Sequence, residues 1–205
     1  MKVLAIFLTL VLAAGTVSAA SLVLQPGSEG KDSHIRALGP TSNYGSYTYL
    51  TVNWSPNQAN RGLVEFTGLS AIAKGSTVNS AKLELYSRYN SPRDYFDIFR
   101  ITASWSEMTV NWTNQPAHFA TRYATVMVPS SGTYSWDVKT LVNEWVQETH
   151  SNYGFKLIKR TESSTYPYFV SSDYGTATNR PKLTVDYTPT AIAPTSVGKV
   201  KALFK

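Results

Sequence analysis

The 205-residue chain contains no cysteine, which excludes a disulfide framework, a thiolate zinc site, an iron–sulfur cluster and a cysteine nucleophile together. Charge is also sparse. Asp, Glu, Lys and Arg make up 16% of the residues, and the net charge of +6 is not concentrated in the middle of the chain. One positive charge sits on Lys2 and three on Lys199, Lys201 and Lys205, and no basic run lies between Ser21 and Asp186. Nucleic acid is therefore not an expected partner. Past residue 14 no apolar stretch approaches the roughly 20 residues of a membrane-spanning helix, so none is expected in the mature chain. An internal repeat is missing too. Aromatic and aliphatic side chains are what the chain has in quantity, with 5 Trp, 13 Tyr and 8 Phe inside a hydrophobic fraction of 42%. Such a composition builds a packed core and is inconsistent with intrinsic disorder, and the length suits one domain.

The first residues set the compartment. Lys2, the apolar run Val3 to Ala14 and the small-residue stretch Val17-Ser18-Ala19 read as the three regions of a signal peptide cut after Ala19. The expected organisation is a signal at residues 1–19, a domain over 20–187, and a Pro/Thr linker with a short basic amphipathic tail over 188–205. In that tail Val197, Val200, Leu203 and Phe204 share one helical face, which suits either a frayed end or an attachment segment for the cell surface. The protein is expected to be secreted or extracellular. Asn53-Trp54-Ser55 and Asn111-Trp112-Thr113 match the N-glycosylation pattern, which matters only in a eukaryotic host.

Between short turn clusters the middle of the chain alternates with period two, the mark of an antiparallel all-β domain. The clearest strand runs from Ala81 to Tyr89, with Ala81, Leu83, Leu85 and Tyr89 on one face and Lys82, Glu84, Tyr86 and Arg88 on the other. Leu50, Val52 and Trp54 repeat the pattern, as do Val64 and Phe66, Phe155 and Leu157, and Leu183, Val185 and Tyr187. Strands are also expected near His34 to Leu38, Tyr95 to Thr102, Tyr123 to Val128 and Tyr166 to Ser172. Within Tyr95 to Thr102 the phase of Phe96 and Ile98 differs from that of Phe99 and Ile101, so a bulge or burial on both faces is expected. Val138, Leu141, Val142 and Trp145 switch to helical spacing, with Asp137 as N-cap and Trp136 and Leu141 spaced as a hydrophobic staple; this predicts about three helical turns. A shorter helical turn is expected over Leu69 to Ala73. The fold class is all-β: a two-sheet antiparallel, jelly-roll-like β-sandwich with one short helix packed across an end.

The order of segments resembles a known family. Gln25-Pro26-Gly27, Asp32-Ser33-His34-Ile35, Asn43-Tyr44-Gly45, Arg61-Gly62-Leu63-Val64-Glu65-Phe66 and Ala81-Lys82-Leu83-Glu84-Leu85-Tyr86 come first. They are followed by the two-tryptophan stretch from Ser104-Trp105-Ser106-Glu107 to Asn114-Gln115-Pro116-Ala117, then Trp136-Asp137-Val138 with Trp145, and Arg180-Pro181-Lys182-Leu183. This is similar to the DNRLRE-type domain, grouped with carbohydrate-binding module family 96 and related to disaggregatase-associated repeats, over Leu24 to Tyr187. The resemblance implies an extracellular β-sandwich that binds polysaccharide or builds cell-surface material. It supplies no motif for the binding residues.

Chemistry is read residue by residue. His34, His118 and His150 stand apart without metal-ligand spacing and are expected to be structural or surface residues. No nucleophile-elbow motif surrounds a serine, and thirteen acidic residues give no specific carboxylate pair. Tyr, His and Arg, the residue types of a polysaccharide lyase, are all present, but only as composition, and an enzyme is not expected. All five tryptophans are expected in the core. Sugar rings stack on exposed aromatics while polar groups fix the hydroxyls, so the candidate carbohydrate-binding residues are Tyr86, Arg88, Tyr44, Tyr47, Arg93 and Tyr168. No cofactor is expected, with a structural calcium ion left open; Asp32, Asn43 and Asp173 are suitable oxygen donors, but no loop has EF-hand spacing. The expected function is a non-catalytic polysaccharide-binding module. The alternatives are a structural or adhesive envelope protein displayed through its tail and, less favoured, a small polysaccharide-degrading enzyme.

Overall fold

Eleven strands and one α-helix are formed in the computed structural model of the chain, which describes residues 18–55, 58–88, 94–161 and 167–190. One antiparallel sheet is centred on β5 (Thr77–Ser87): β11 (Lys182–Thr188) and β10 (Tyr168–Val170) share one of its edges and β8 (Gly132–Asp137) takes the other. Outside these, β1 (Ala20–Leu24) pairs with β11, and β3 (Tyr49–Thr51) pairs with β10. The second sheet has the order β2 (Lys31–Arg36), β4 (Asn60–Glu65), β9 (Phe155–Lys159), β6 (Asp94–Arg100) and β7 (Ala124–Val128). The two sheets pack as a β-sandwich.

The alternation read from the sequence selects the core. Leu50 and Val52, Val64 and Phe66, Ala81, Leu83 and Leu85, Phe155 and Leu157, and Leu183 and Val185 are all buried in one cluster with Trp136. Helix α1 (Lys139–Val146) adds Leu141, Val142, Trp145 and Val146 to that cluster. It is shorter than the spacing predicts. Its N-cap position is Val138, while Asp137 Oδ1 accepts the Lys139 N–H from one residue earlier, and Glu148 in the left-handed region (φ 56°) follows its end. The predicted turn after β4 is a 3₁₀ segment at Thr67–Ala71.

A second, smaller core covers the outer face of the β2–β4–β9–β6 sheet. The two-tryptophan stretch after β6 folds back over it, so that Trp105 and Val110 bury Ile35, Leu63 and Ile101, with Trp112 and Tyr153 at the margin. This accounts for the broken alternation of β6. Phe96 and Ile98 face the main core while Ile101 faces the second, and the register with β7 and β9 runs without a shift. The one register irregularity among the described strand pairs is in the β5–β11 pair, where Asn79 of β5 is left over opposite Asp186 and Tyr187.

Several expectations are corrected. Trp54 is not core: β3 ends at Thr51, the Asn53–Asn60 bridge closes the hairpin, and Trp54 beyond it is 41% exposed. Trp112 is half-buried. Asn53, the first glycosylation candidate, is buried at that bridge. The sequence pattern does not mark β1 or β8 as separate strands. Tyr89, Arg93, Tyr166, residues 1–17 of the expected signal and residues 191–205 of the expected tail lie outside the described residues.

Candidate functional site

Strands β2 and β3 are edges of opposite sheets, so the side of the sandwich where they meet is closed by side chains and by the loop joining them rather than by hydrogen-bonded backbone. Two aromatic groups face each other there. On the β2 side the His34 ring stacks on Tyr44 at 4.3 Å between centroids, and Tyr47 stands edge-on to both, at 5.8 and 5.1 Å. Arg36, two residues along the same strand, donates to the Tyr44 hydroxyl at 3.4 Å. On the β3 side the Tyr49 ring meets Tyr168 at 5.0 Å and Tyr174 at 5.6 Å. The register builds this second group: Thr51 is paired with Tyr168, and the Arg88 N–H donates to the Tyr168 carbonyl from the other side. The Arg88 guanidinium donates to the hydroxyls of both Tyr49 (2.8 Å) and Tyr174 (2.9 Å), which fixes the two phenols relative to each other.

Between the groups lies an open cleft of about 300 Å³ lined by His34, Arg36, Tyr44, Tyr47, Tyr49, Thr51 and Tyr168. Among the described residues its lining contains no carboxylate. Neither Arg36 nor Arg88 forms an ion pair among the described residues. His34 is 3% exposed; burial and the neighbouring Arg36 charge push its imidazole down to about 4, against a hydrogen bond to the Tyr49 backbone. The imidazole is thus neutral and lies beneath Tyr44. Histidine, arginine and tyrosine do meet here, as in a lyase, but this histidine acts as the floor of an aromatic platform.

Four of the six sequence-predicted residues converge. Tyr47, 53% exposed, and Tyr168 line the cleft, and Arg88 clamps its second aromatic group. Tyr44 belongs to the site but not as an exposed platform. It is 9% exposed, because Asn43 Nδ2 donates to the Glu107 carbonyl and Gly45 packs against the same peptide, drawing the loop onto β2. Tyr86 stands opposite Thr133 of β8, on the same face as Arg88 but outside the cleft lining. Arg93 lies outside the described residues. Sequence reasoning missed His34, Arg36, Tyr49, Thr51 and Tyr174. For Tyr49 and Thr51 a signal existed, since they occupy the phase opposite Leu50 and Val52 on a recognised strand.

Of the candidate calcium donors, Asn43 is engaged by other groups and Asp32 only in part, its Oδ1 being buried without a hydrogen-bond partner among the described residues. Asp32 Oδ2 accepts the Ser172 N–H at 2.7 Å, and both ends of the Asn43 amide are used, Oδ1 by the Gly45 N–H of its own loop and Nδ2 by the Glu107 and Val110 carbonyls of the two-tryptophan stretch. Among the described residues no group of three acidic, histidine or cysteine side chains is arranged to hold a metal ion. Somewhat larger recesses lie beside α1 and along β1, but the charged pairs there, Lys74–Glu148 and Lys31–Glu65, already neutralise each other.

No helix among the described residues is long and apolar enough to cross a membrane. No curated protein matches the chain. Compared with models of known families, residues 26–187 match that of carbohydrate-binding module family 96, a family of non-catalytic binding modules.

Proposed function

From the premise that the chain belongs to carbohydrate-binding module family 96, we propose that it binds a polysaccharide in the cleft between β2 and β3. The convergence of Tyr47, Tyr49 and Tyr168 with Arg36 and Arg88 carries this reading. Tyrosine presents an apolar face to a sugar ring and a hydroxyl to its substituents. Arginines without a carboxylate partner among the described residues favour a glycan bearing acidic groups, because the guanidinium fork matches a carboxylate or sulfate and is already packed against a tyrosine ring on one side.

We further read the protein as exported. Cleavage after Ala19 leaves β1, which begins at Ala20, intact. The domain then spans 20–187, with the linker and tail of 188–205 available for surface attachment. The sandwich is of jelly-roll type, supported by the orders β3-β10-β5-β8 and β4-β9-β6-β7 in its two sheets.

Affinity electrophoresis and calorimetry against neutral and acidic polysaccharides test the binding site. Retardation by an acidic glycan is expected, weakened about tenfold or more by Tyr47→Ala and by Arg88→Ala. Tyr95→Ala removes a comparably exposed tyrosine that stands beside Arg160 on the other sheet, and should leave binding unchanged. Equal affinity in all three variants, or retardation by no glycan, overturns the assignment.

A further inference from the structure

We propose that Asp32 and Glu107 are positioning residues of the cleft, the joint through which its two tyrosine arms are held at one spacing. The proposal rests on the reading of the cleft as a glycan site. Neither residue lines the cleft, yet each arm is tied to one of them. The Tyr44–Tyr47 arm is held by Asn43, whose amide donates to the Glu107 carbonyl at 2.7 Å, and by Gly45, where any Cβ would fall 2.4 Å from that same carbonyl oxygen. The Tyr174 arm is a turn whose Ser172 N–H donates to Asp32 Oδ2 at 2.7 Å and whose Tyr174 N–H donates to the Ser171 carbonyl. The Glu107 carboxylate closes the chain by accepting the Asp32 N–H at 2.8 Å. A continuous set of bonds therefore runs from one arm through Asn43, Glu107, Asp32 and Ser172 to the other.

The joint gathers acidic groups with little to neutralise them. Asp32 is 2% exposed and feels the charges of Glu107 and Asp173. On β2, Lys31 pairs with Glu65 of β4 at 2.7 Å and its charge also acts on Glu107 though not on Asp32, and His34 is neutral. Arg180, beyond the Tyr174 turn, donates to the Tyr174 carbonyl, and its charge acts on Asp173 rather than on Asp32. Burial outweighs the Ser172 bond that favours the carboxylate and pushes Asp32 up to about 7. The joint is accordingly closed while Asp32 holds a proton. Ionisation sets a buried charge against two carboxylates and loosens the arms.

The test uses the full chain with fluorotyrosine labels and follows the ¹⁹F signals of Tyr44 and Tyr174 without ligand between about pH 5.5 and 8.5. In the wild type both signals are expected to shift in one common transition. Asp32→Asn keeps the acceptor without the charge, and should abolish the transition with both signals at their low-pH positions. Glu107→Gln should keep the transition but move it to lower pH, because one repelling charge is gone. Asp32→Ala should displace both signals at every pH. Independent movement of the two tyrosines, an Asp32→Asn variant that titrates like the wild type, or an Asp32→Ala variant with wild-type signals overturns the proposal. So does a transition that is removed by added calcium chloride and restored by a chelator, since a cation then does the neutralising. Affinity for polygalacturonate, an acidic polymer, should fall about fivefold across the wild-type transition and stay level in Asp32→Asn. If the tyrosines respond together but no acidic glycan binds at any pH, the joint stands and the glycan site falls; if the tyrosines do not respond, the joint falls whether or not glycan binds.

Discussion

Lys156 is a buried amine with no carboxylate paired to it among the described residues. It lies 1% exposed on β9 between Leu63 and Phe99, where its Nζ donates to the Pro116 carbonyl at 2.7 Å and to Gln115 Oε1 at 3.2 Å. Burial first, and the charge of Arg61 second, push its pKa down from 10.5 to about 7. Between those values the unfolded chain binds a proton that the folded chain does not, so stability gained from this group rises with pH across the window and is lost as pH falls through about 7. The urea midpoint should climb over this range in the wild type, and Lys156→Met should flatten the climb; an equal slope in both proteins refutes the assignment. Single side chains differed in how far they were legible. Arg88, Tyr47 and Tyr168 were legible because polar-phase residues on a strand, or aromatics in a loop, have a readable direction. His34 and Arg36 were not. Alternation on β2 suggests that Ile35 faces the sandwich, but Ile35 is buried beneath the two-tryptophan stretch, and the opposite phase turns His34 and Arg36 toward β3.

That stretch is an element without regular secondary structure, and Gln115 organises its end. The Gln115 Oε1 accepts from Arg61 at 2.9 Å and from Lys156, while its Nε2 donates to the Trp112 carbonyl at 3.0 Å; Arg61 in turn lies 4.9 Å from the Trp112 ring centroid. One amide thus satisfies two cations and pins a tryptophan. Gln115→Leu keeps the volume but leaves both cations short of an acceptor, and should cost about 2–3 kcal/mol in urea unfolding. The loss should concentrate in the second core, visible as faster amide exchange at Ile101 and Leu63 than at Leu83. A loss below about 0.5 kcal/mol would show that water replaces the amide there. The segment was legible as a family signature but not as a structural part, because periodicity carries no information about a stretch held by side-chain bonds. Regular elements fared better. The strands with period two formed where expected, with ends shifted by a few residues, and the helix lost a turn because its apolar spacing continues into positions whose backbone is not helical.

At the scale of the whole molecule, two buried groups, His34 and Asp32, and the half-buried His118 act with opposed signs on stability on the acid side. His34 and His118 both fall from 6.5 to about 4, chiefly by burial, with Arg36 beside the first and Lys156 and Arg61 beside the second. Between about pH 4 and 6.5 the unfolded chain binds more protons at both histidines, so they make stability rise with pH. Asp32, raised from 3.8 to about 7, works the other way: the folded chain holds the extra proton, and the stability it contributes below 3.8 is lost as pH rises through about 7. Glu107 and Asp173, raised chiefly by burial, work in the same direction as Asp32, so the histidines set a rise in wild-type stability from about pH 4 to 6.5 whose slope these acids reduce. Asp32→Asn removes one opposing group and should steepen the rise, while His34→Gln should shallow it toward level. Urea titrations of the three proteins at half-unit pH intervals, with the slope of unfolding free energy against pH as the readout, decide the matter. A wild-type slope equal to that of Asp32→Asn would mean that Asp32 ionises freely in the folded protein, and with it would go the proton that holds the joint of the cleft closed.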